Sequence, residues 1–344
     1  MDIKPFHIRR RQQFLTEELY EKTRANQFDL IRGGERNIAL SDSAQESASV
    51  HHFLFLEPLW IWLLDYTAGV PIAELAPRVA GLVDAFEKWN EVDQLYQQEA
   101  AKMFPEYGPY AYRGAPDFPI LSDYIDTLQL LSIAIVLRDR HSVERIIHVL
   151  RSHRGEDGLF ETLISAYVDD EQEIETCVLG EPFETLLQAY YTDDNADLSR
   201  EAVEQYLKKW YPAMKYHPRW YDGHLHTSKD GSSAYYGYWA FEAAAVVFLL
   251  DLDDRVINHM VYPKDLVAYG KQLRAEGRYT SLGDAATPRT GRCEGGQPCP
   301  FAGWWFTPAQ ADSRRHFAQG EVMPDFKGSW GATIWQFDAE QGEA

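Results

Sequence analysis

The sequence predicts a mainly α-helical protein, an antiparallel helical bundle with a small, β-containing, hairpin-like segment at its C-terminus. Before residue 275, apolar residues recur every three to four positions, which is the period of an amphipathic helix. After residue 275, proline and glycine become dense, and short aromatic and β-branched runs replace that period. The chain has 344 residues, of which 45% are hydrophobic, so it can bury a sizeable core.

The N-terminal region, residues 1–160, is predicted to be a helical body. The runs FLTEELYEKTRANQFDLI and VAGLVDAFEKWNEVDQLYQQEAAKMF carry the helical period, and Pro71, Pro77 and Pro105 fall at its breaks. Two further helices, LSDYIDTLQLLSIAIVLRD and VERIIHVLRSH, follow each other after a short turn. Such a short connection predicts that these two helices are antiparallel neighbours.

The second region, residues 161–274, begins with a strongly acidic stretch. Between residues 161 and 206, thirteen carboxylates stand against one arginine, a local net charge of −12. The whole chain carries 53 acidic residues against 33 Lys and Arg, or −20. We expect a folded acidic face and not a disordered tail, because apolar residues occur in it at helical spacing. These residues are Phe183, Leu186, Leu187, Tyr190 and Tyr191.

The run SAYYGYWAFEAAAVVFLLDLDD, residues 233–254, is predicted to be a core helix. Its spacing places Glu242 one turn from Tyr238, among apolar side chains. Glu242 is either a catalytic acid in an aromatic pocket or a buried anchor that needs a tyrosine hydroxyl, an indole N–H or an arginine as partner. The spacing favours the anchor. The residues expected to face the core are Tyr238, Phe241, Ala245, Phe248 and Leu249.

The third region, residues 275–344, is rich in Gly, Pro and aromatic residues. The runs GWWFT and ATIWQF predict one or two short strands. The chain's three cysteines, Cys177, Cys293 and Cys299, form no even disulfide framework, which favours a reducing compartment and hence the cytoplasm. The sequence shows no secretory signal and no apolar run long enough for a membrane span.

No motif for catalysis or cofactor binding is recognised. The spacing in CEGGQPC does not suit a zinc site, GHLH lacks an accompanying carboxylate signature, and nucleophile-elbow and phosphate-binding motifs are absent. We therefore predict no catalytic residue, no metal and no cofactor. The negative charge argues against direct contact with nucleic acid or anionic membranes. A carbohydrate-active hydrolase with paired carboxylates in an aromatic cleft is the remaining enzymatic alternative.

The run at 233–254, followed by NHMVYPKDLVAYG, resembles the C-terminal domain of the PoNe immunity proteins, a domain of the DUF1911 type. These proteins pair with DNase toxins of polymorphic, contact-delivered and type VI secretion systems. The residues that carry the resemblance include Tyr236, Gly237, Tyr238, Trp239, Glu242, Asp253, Tyr262, Pro263 and Asp265.

The tail resembles a terminal segment of immunity proteins from the same toxin systems. The run is GQPCPFAGWWFTPAQADSRRHFAQGEVMP, followed by WGATIWQF. Its matching residues are Cys299, Pro300, Gly303, Trp304, Pro308, Ser313, Arg314, Gly320, Pro324, Gly331 and Trp335.

The resemblance implies a cytoplasmic antitoxin, not an enzyme, that binds a cognate nuclease encoded adjacently. An acidic helical face would occupy the toxin's basic substrate-binding surface much as DNA does. The same face could instead be simply solvated, and the exposed aromatics also permit a homodimer. The residues predicted to bind the toxin are Asp169, Asp170, Glu171, Glu173, Glu175, Asp193 and Asp194 as charged contacts, with Tyr190 and Tyr191 as anchors.

Overall fold

The computed structural model describes residues 5–103, 114–216, 220–280, 292–299, 303–307, 309–310, 313–318, 320–326 and 333–337. Pro105, Pro300, Pro308 and Gly331 lie outside these residues. The chain divides into two compact units between residues 281 and 282. The helices are α1 (Phe6–Arg9), α2 (Glu17–Ile38), α3 (Ala44–Thr67), α4 (Ile72–Leu75), α5 (Val79–Met103), α6 (Leu121–Val136), α7 (Arg140–Val149), α8 (Gly158–Ile164), α9 (Phe183–Leu187), α10 (Ala196–Ala213), α11 (Phe241–Leu249) and α12 (Lys264–Ala275).

The predicted fold class is confirmed: the protein is mainly helical, with a small antiparallel sheet near its C-terminus. Helices α6 and α7 pack against each other, as their short connection suggested. The helix starts follow local sequence signals, because a side-chain oxygen at the N-cap accepts a backbone N–H of the first turn. The residues that do so are Thr16, Ser43, Asp139, Asp157 and Asn195.

The core of the larger unit is built around α6 and α11, which pack against each other. Every residue of α6 except its first two is buried, and so is α11 up to Phe248. Helices this apolar on all sides have to be enclosed by others. Helix α3 packs against both α2 and α5, and α10 and α12 pack against α11. This arrangement places α10 between the core and the surface.

The prediction that Tyr238 lies on the same helix as Phe241 is wrong. Helix α11 begins only at Phe241, and residues 235–240 run without helix or strand through the core. Gly237 has a φ of 108°, which favours glycine, and a Cβ there would lie 2.1 Å from Thr67 Oγ1. The same hydroxyl donates to the carbonyl of Tyr236 at 2.6 Å and accepts the indole N–H of Trp239 at 2.8 Å. This close approach to α3 holds the segment out of a helix.

The described residues of the smaller unit form four strands: β1 (Arg292–Glu294), β2 (Gly303–Phe306), β3 (Arg315–Phe317) and β4 (Ile334–Phe337). Their order in the sheet is β1-β4-β2-β3, and each described pair is antiparallel. The runs GWWFT and ATIWQF correspond to β2 and β4, whereas β1 and β3 were not predicted. The core of this unit consists of Cys293, Cys299, Trp305, Phe317, Met323 and Trp335.

Candidate functional site

The acidic surface begins with an extended stretch, residues 168–182, which we call the acidic segment. It contains neither helix nor strand. Five of the predicted toxin-binding residues lie on it, and all five are exposed: Asp169, Asp170, Glu171, Glu173 and Glu175. The segment thus presents its carboxylates to solvent along one stretch of backbone.

The end of the acidic segment is fixed to the start of α8 by Asp157. This buried carboxylate accepts the backbone N–H groups of Phe160 and Val178, each at 2.8 Å, and the hydroxyl of Tyr124 at 3.1 Å. Burial is the main cause that raises the pKa of Asp157. The N–H of Gly158 also donates to the carbonyl of Thr176 at 2.8 Å. These hydrogen bonds pair the buried polar groups at the start of α8 with the backbone of residues 176–178, so the end of the acidic segment has a defined path over the core.

Arg154 fixes the beginning of the same segment. Its guanidinium donates to both carboxylate oxygens of Glu161 at 3.0 Å, and to the side chain and carbonyl of Asp170 at 3.0 and 2.8 Å. Glu161 is buried, so Arg154 neutralises one interior and one surface carboxylate. Among the described residues, no salt bridge neutralises the other four carboxylates between residues 169 and 175, those of Asp169, Glu171, Glu173 and Glu175.

A tight turn before α10 provides a second group of carboxylates. Asp193 and Asp194 are exposed and have φ angles of 50° and 61°, a conformation that Asp tolerates better than most residues. Asn195 then caps α10 by accepting the backbone N–H of Asp197 at 3.1 Å and of Leu198 at 3.3 Å. The turn therefore presents two further carboxylates to solvent.

The two tyrosines predicted as anchors differ in orientation. Tyr190 packs against the core, and its buried hydroxyl has no hydrogen-bond partner among the described residues. Tyr191 is 50% exposed, and its hydroxyl approaches the carbonyl of Ile174 at 3.4 Å. Partial burial, together with the charges of Glu175 and Glu173, raises the pKa of Tyr191. Tyr191 is thus the one that lies at the surface beside the acidic segment.

An open groove between α9 and α10 continues the acidic surface. Its volume is about 420 Å³, and its lining includes Glu181, Glu184, Glu201 and the half-exposed Leu198. Lys209 pairs with Glu181 at 3.2 Å. The groove therefore combines carboxylates with an accessible apolar side chain.

Glu242 lies inside the protein and not in a cleft. It is 2% exposed, and the hydroxyl of Tyr206 donates to its carboxylate at 2.5 Å. Burial raises its pKa to about 7, while the neighbouring Tyr206 and Trp210 act in the opposite direction. The partner is therefore a tyrosine hydroxyl, one of the three kinds that the sequence suggested. A polysaccharide could not contact this carboxyl group, so the geometry does not support its use in glycoside hydrolysis.

Several of the other motif residues contact residues that are distant in sequence within the larger unit. Tyr236 stacks on Trp60 with ring centroids 5.0 Å apart, and the Tyr238 hydroxyl lies 2.6 Å from His224 Nδ1. Tyr262 donates its hydroxyl to Asp254, and Arg255 pairs with Asp253. Asp265 accepts hydrogen bonds from Arg11 and Tyr66. Pro263 precedes the first turn of α12.

The described part of the chain contains no group of three or more His, Cys, Asp or Glu side chains that could hold a metal ion. None of its helices is both long and apolar enough to cross a lipid bilayer.

Comparison with known proteins gives two findings. Residues 155–266 match the family model described as PoNe immunity proteins, C-terminal. The fold is similar to that of protein PA2201 from Pseudomonas aeruginosa, known from its crystal structure, with a TM-score of 0.56 and 20% sequence identity over 78% of this chain and 92% of that one. No curated protein matches the sequence significantly. The matched range contains the acidic stretch 161–206 and the motif residues from Tyr236 to Asp265, so the resemblance to the C-terminal domain of the PoNe immunity proteins is confirmed over residues 155–266.

Proposed function

We propose that the chain is the immunity protein of a secreted nuclease toxin, which it neutralises in the cytoplasm of the producing cell by covering the toxin's basic substrate-binding surface. The observation that carries this proposal is the acidic segment. Seven consecutive residues, 169–175, carry four exposed carboxylates that form no salt bridge with any described residue, and they lie within the range that matches the immunity family.

Electrostatics supports this choice of partner. A nuclease has to present positive charge to phosphates, and a surface of opposite sign increases its rate of encounter with that nuclease. The same negative surface disfavours association with nucleic acid. An acidic protein of this kind competes for the surface that the substrate needs.

The fixed backbone path of the acidic segment favours a stable complex with the nuclease, in addition to the faster encounter that its charge provides. Asp157 and Arg154 hold its two ends, so its backbone does not have to be ordered when the partner binds. Ordering a loop on association would cost free energy and lower the affinity. The Arg154 ion pair leaves the carboxylates of Asp169, Glu171, Glu173 and Glu175 available to a partner.

Neutralising the acidic segment is expected to weaken inhibition. The variant Asp169→Asn/Glu171→Gln/Glu173→Gln/Glu175→Gln keeps the Asp170 pair with Arg154. We expect it to bind the nuclease encoded beside this gene about a hundredfold more weakly, mainly through a slower association rate. The measurement is inhibition of DNA cleavage, together with association and dissociation rates.

A matched variant controls for net charge. Glu21, Glu35, Glu74 and Glu99 are exposed and lie outside the family domain, so changing all four to Gln removes the same total charge. This control should change the affinity by less than about threefold, because distant exposed charges are largely screened. Equal losses in the two variants would contradict an interface at the acidic segment.

A further inference from the structure

The loop between α11 and α12 exposes apolar side chains within a short turn. Val256 is 64% exposed and Met260 is 44% exposed, whereas Ile257 between them is buried. Single apolar residues are common on protein surfaces, but here two of them project from one short loop. Val256 lines a recess of about 200 Å³, and Met260 lines a second recess of about 540 Å³.

The backbone of this loop is held by side chains from other elements. Lys264 donates to the carbonyls of Arg255 at 2.9 Å and Ile257 at 3.1 Å, and Gln12 donates to that of Met260 at 3.0 Å. Lys271 donates to the carbonyl of Leu252 at 2.6 Å. The loop therefore offers its apolar side chains in a fixed geometry, which lowers the entropic cost of binding.

Helix α10 joins this loop to the acidic surface. Glu201 and Gln205 line the groove towards α9, whereas Glu204 and Lys208 line the recess beside Val256. Glu204 and Gln205 lie three and four positions after Glu201, and Lys208 lies four and three positions after them, so the side chains form a continuous row along the outer face of α10. The groove, the outer face of α10 and the loop are thus parts of one continuous surface, and all of it lies within the family domain.

We propose that Val256 and Met260 form the apolar contact of the surface that receives the toxin, and that the toxin's basic face carries an apolar recess to accommodate them. This inference rests on the proposed function. Charge complementarity identifies the partner, since the groove along α10 is lined by Glu181, Glu184 and Glu201. The recess beside Val256 is lined by Glu204 together with Lys208. Charges of this kind accelerate encounter, whereas buried apolar contacts retain the partner once it is bound.

The test compares serine variants in the full chain. Val256→Ser/Met260→Ser is expected to weaken nuclease binding at least about tenfold, through faster dissociation and with an unchanged dependence on salt. Leu40→Ser/Met103→Ser is the matched control, because both side chains are exposed outside the family domain and should leave the affinity unchanged. Circular dichroism melting should give the same midpoint for both variants and the unmodified chain.

The outcomes separate this inference from the proposed function. Unchanged binding by Val256→Ser/Met260→Ser, with weakened binding by the variant neutralised in the acidic segment, would overturn the apolar contact and leave the proposed function standing. No binding by the unmodified chain would overturn both. If the serine variant melted early, hydrogen exchange of the unmodified complex would decide: protection of residues 253–263 on binding supports the contact, and unchanged exchange overturns it.

Discussion

Replacing Gly237 with alanine is expected to lower the free energy of unfolding by about 4 kcal/mol. A φ of 108° is strained for any residue with a Cβ, and that Cβ would lie 2.1 Å from Thr67 Oγ1 and 2.3 Å from Trp239 Nε1. The strain costs about 1–2 kcal/mol and the collision a further 1–3 kcal/mol. The collision would also separate the hydroxyl of Thr67 from the groups it bonds, the Tyr236 carbonyl and the Trp239 indole.

Denaturant unfolding of Gly237→Ala should be compared with that of Gly277→Ala. Gly277 also has a positive φ, of 65°, but nothing lies within 4 Å of the position of its Cβ. Only the strain remains there, so the control should lose about 1 kcal/mol. Equal losses at the two positions would show that the close approach of residues 235–240 to α3 does not constrain the fold.

The stability difference between Glu242→Gln and the unmodified chain is expected to depend on pH. The pKa of Glu242 is raised from 4.5 to about 7 by burial, so the folded state retains a proton that the unfolded state releases. The stabilisation that protonated Glu242 gives the folded state is fully present below pH 4.5, and it is lost as the pH rises through about 7. A shift of this size corresponds to about 3 kcal/mol. The amide of the Glu242→Gln variant cannot ionise, so the variant does not lose this contribution.

Denaturant unfolding at pH 4.5 and pH 8 measures this effect. From pH 4.5 to pH 8, the free energy of unfolding of Glu242→Gln should rise by about 3 kcal/mol relative to that of the unmodified chain. This change does not depend on how far the amide destabilises the variant at low pH. Titration of the other groups is common to both proteins and cancels in the difference. A difference that stays constant with pH would mean that Glu242 is not the enclosed carboxyl group described above.

Local sequence signals predicted much of the helical fold. The apolar period is a property of neighbouring residues, and helices α2 and α5 lie where it was recognised. The segment 235–240 could not be predicted in the same way, because its conformation depends on Thr67, which is distant in sequence. Strands β1 and β3 have only three residues each, too few to show an alternating pattern.

The candidate site was predictable in charge but not in shape. Thirteen carboxylates between residues 161 and 206 are visible in the sequence. Nothing local in the sequence shows that Asp157, which caps α8, also accepts the backbone N–H of Val178. Val256 likewise carries no signal of its exposure, since Ile257 beside it is equally apolar and buried.

The most direct test of the central claim is a binding titration of the unmodified chain with the nuclease encoded beside its gene, at about 0.1 M and about 1 M salt. Over that range the Debye length falls from about 10 Å to about 3 Å, so exposed charges attract each other far less. We expect a dissociation constant in the nanomolar range or below at the lower salt concentration, loss of DNA cleavage at equimolar ratio, and an association rate that falls steeply with salt. No complex at the lower salt concentration, or a complex in which DNA is still cleaved, would contradict the claim.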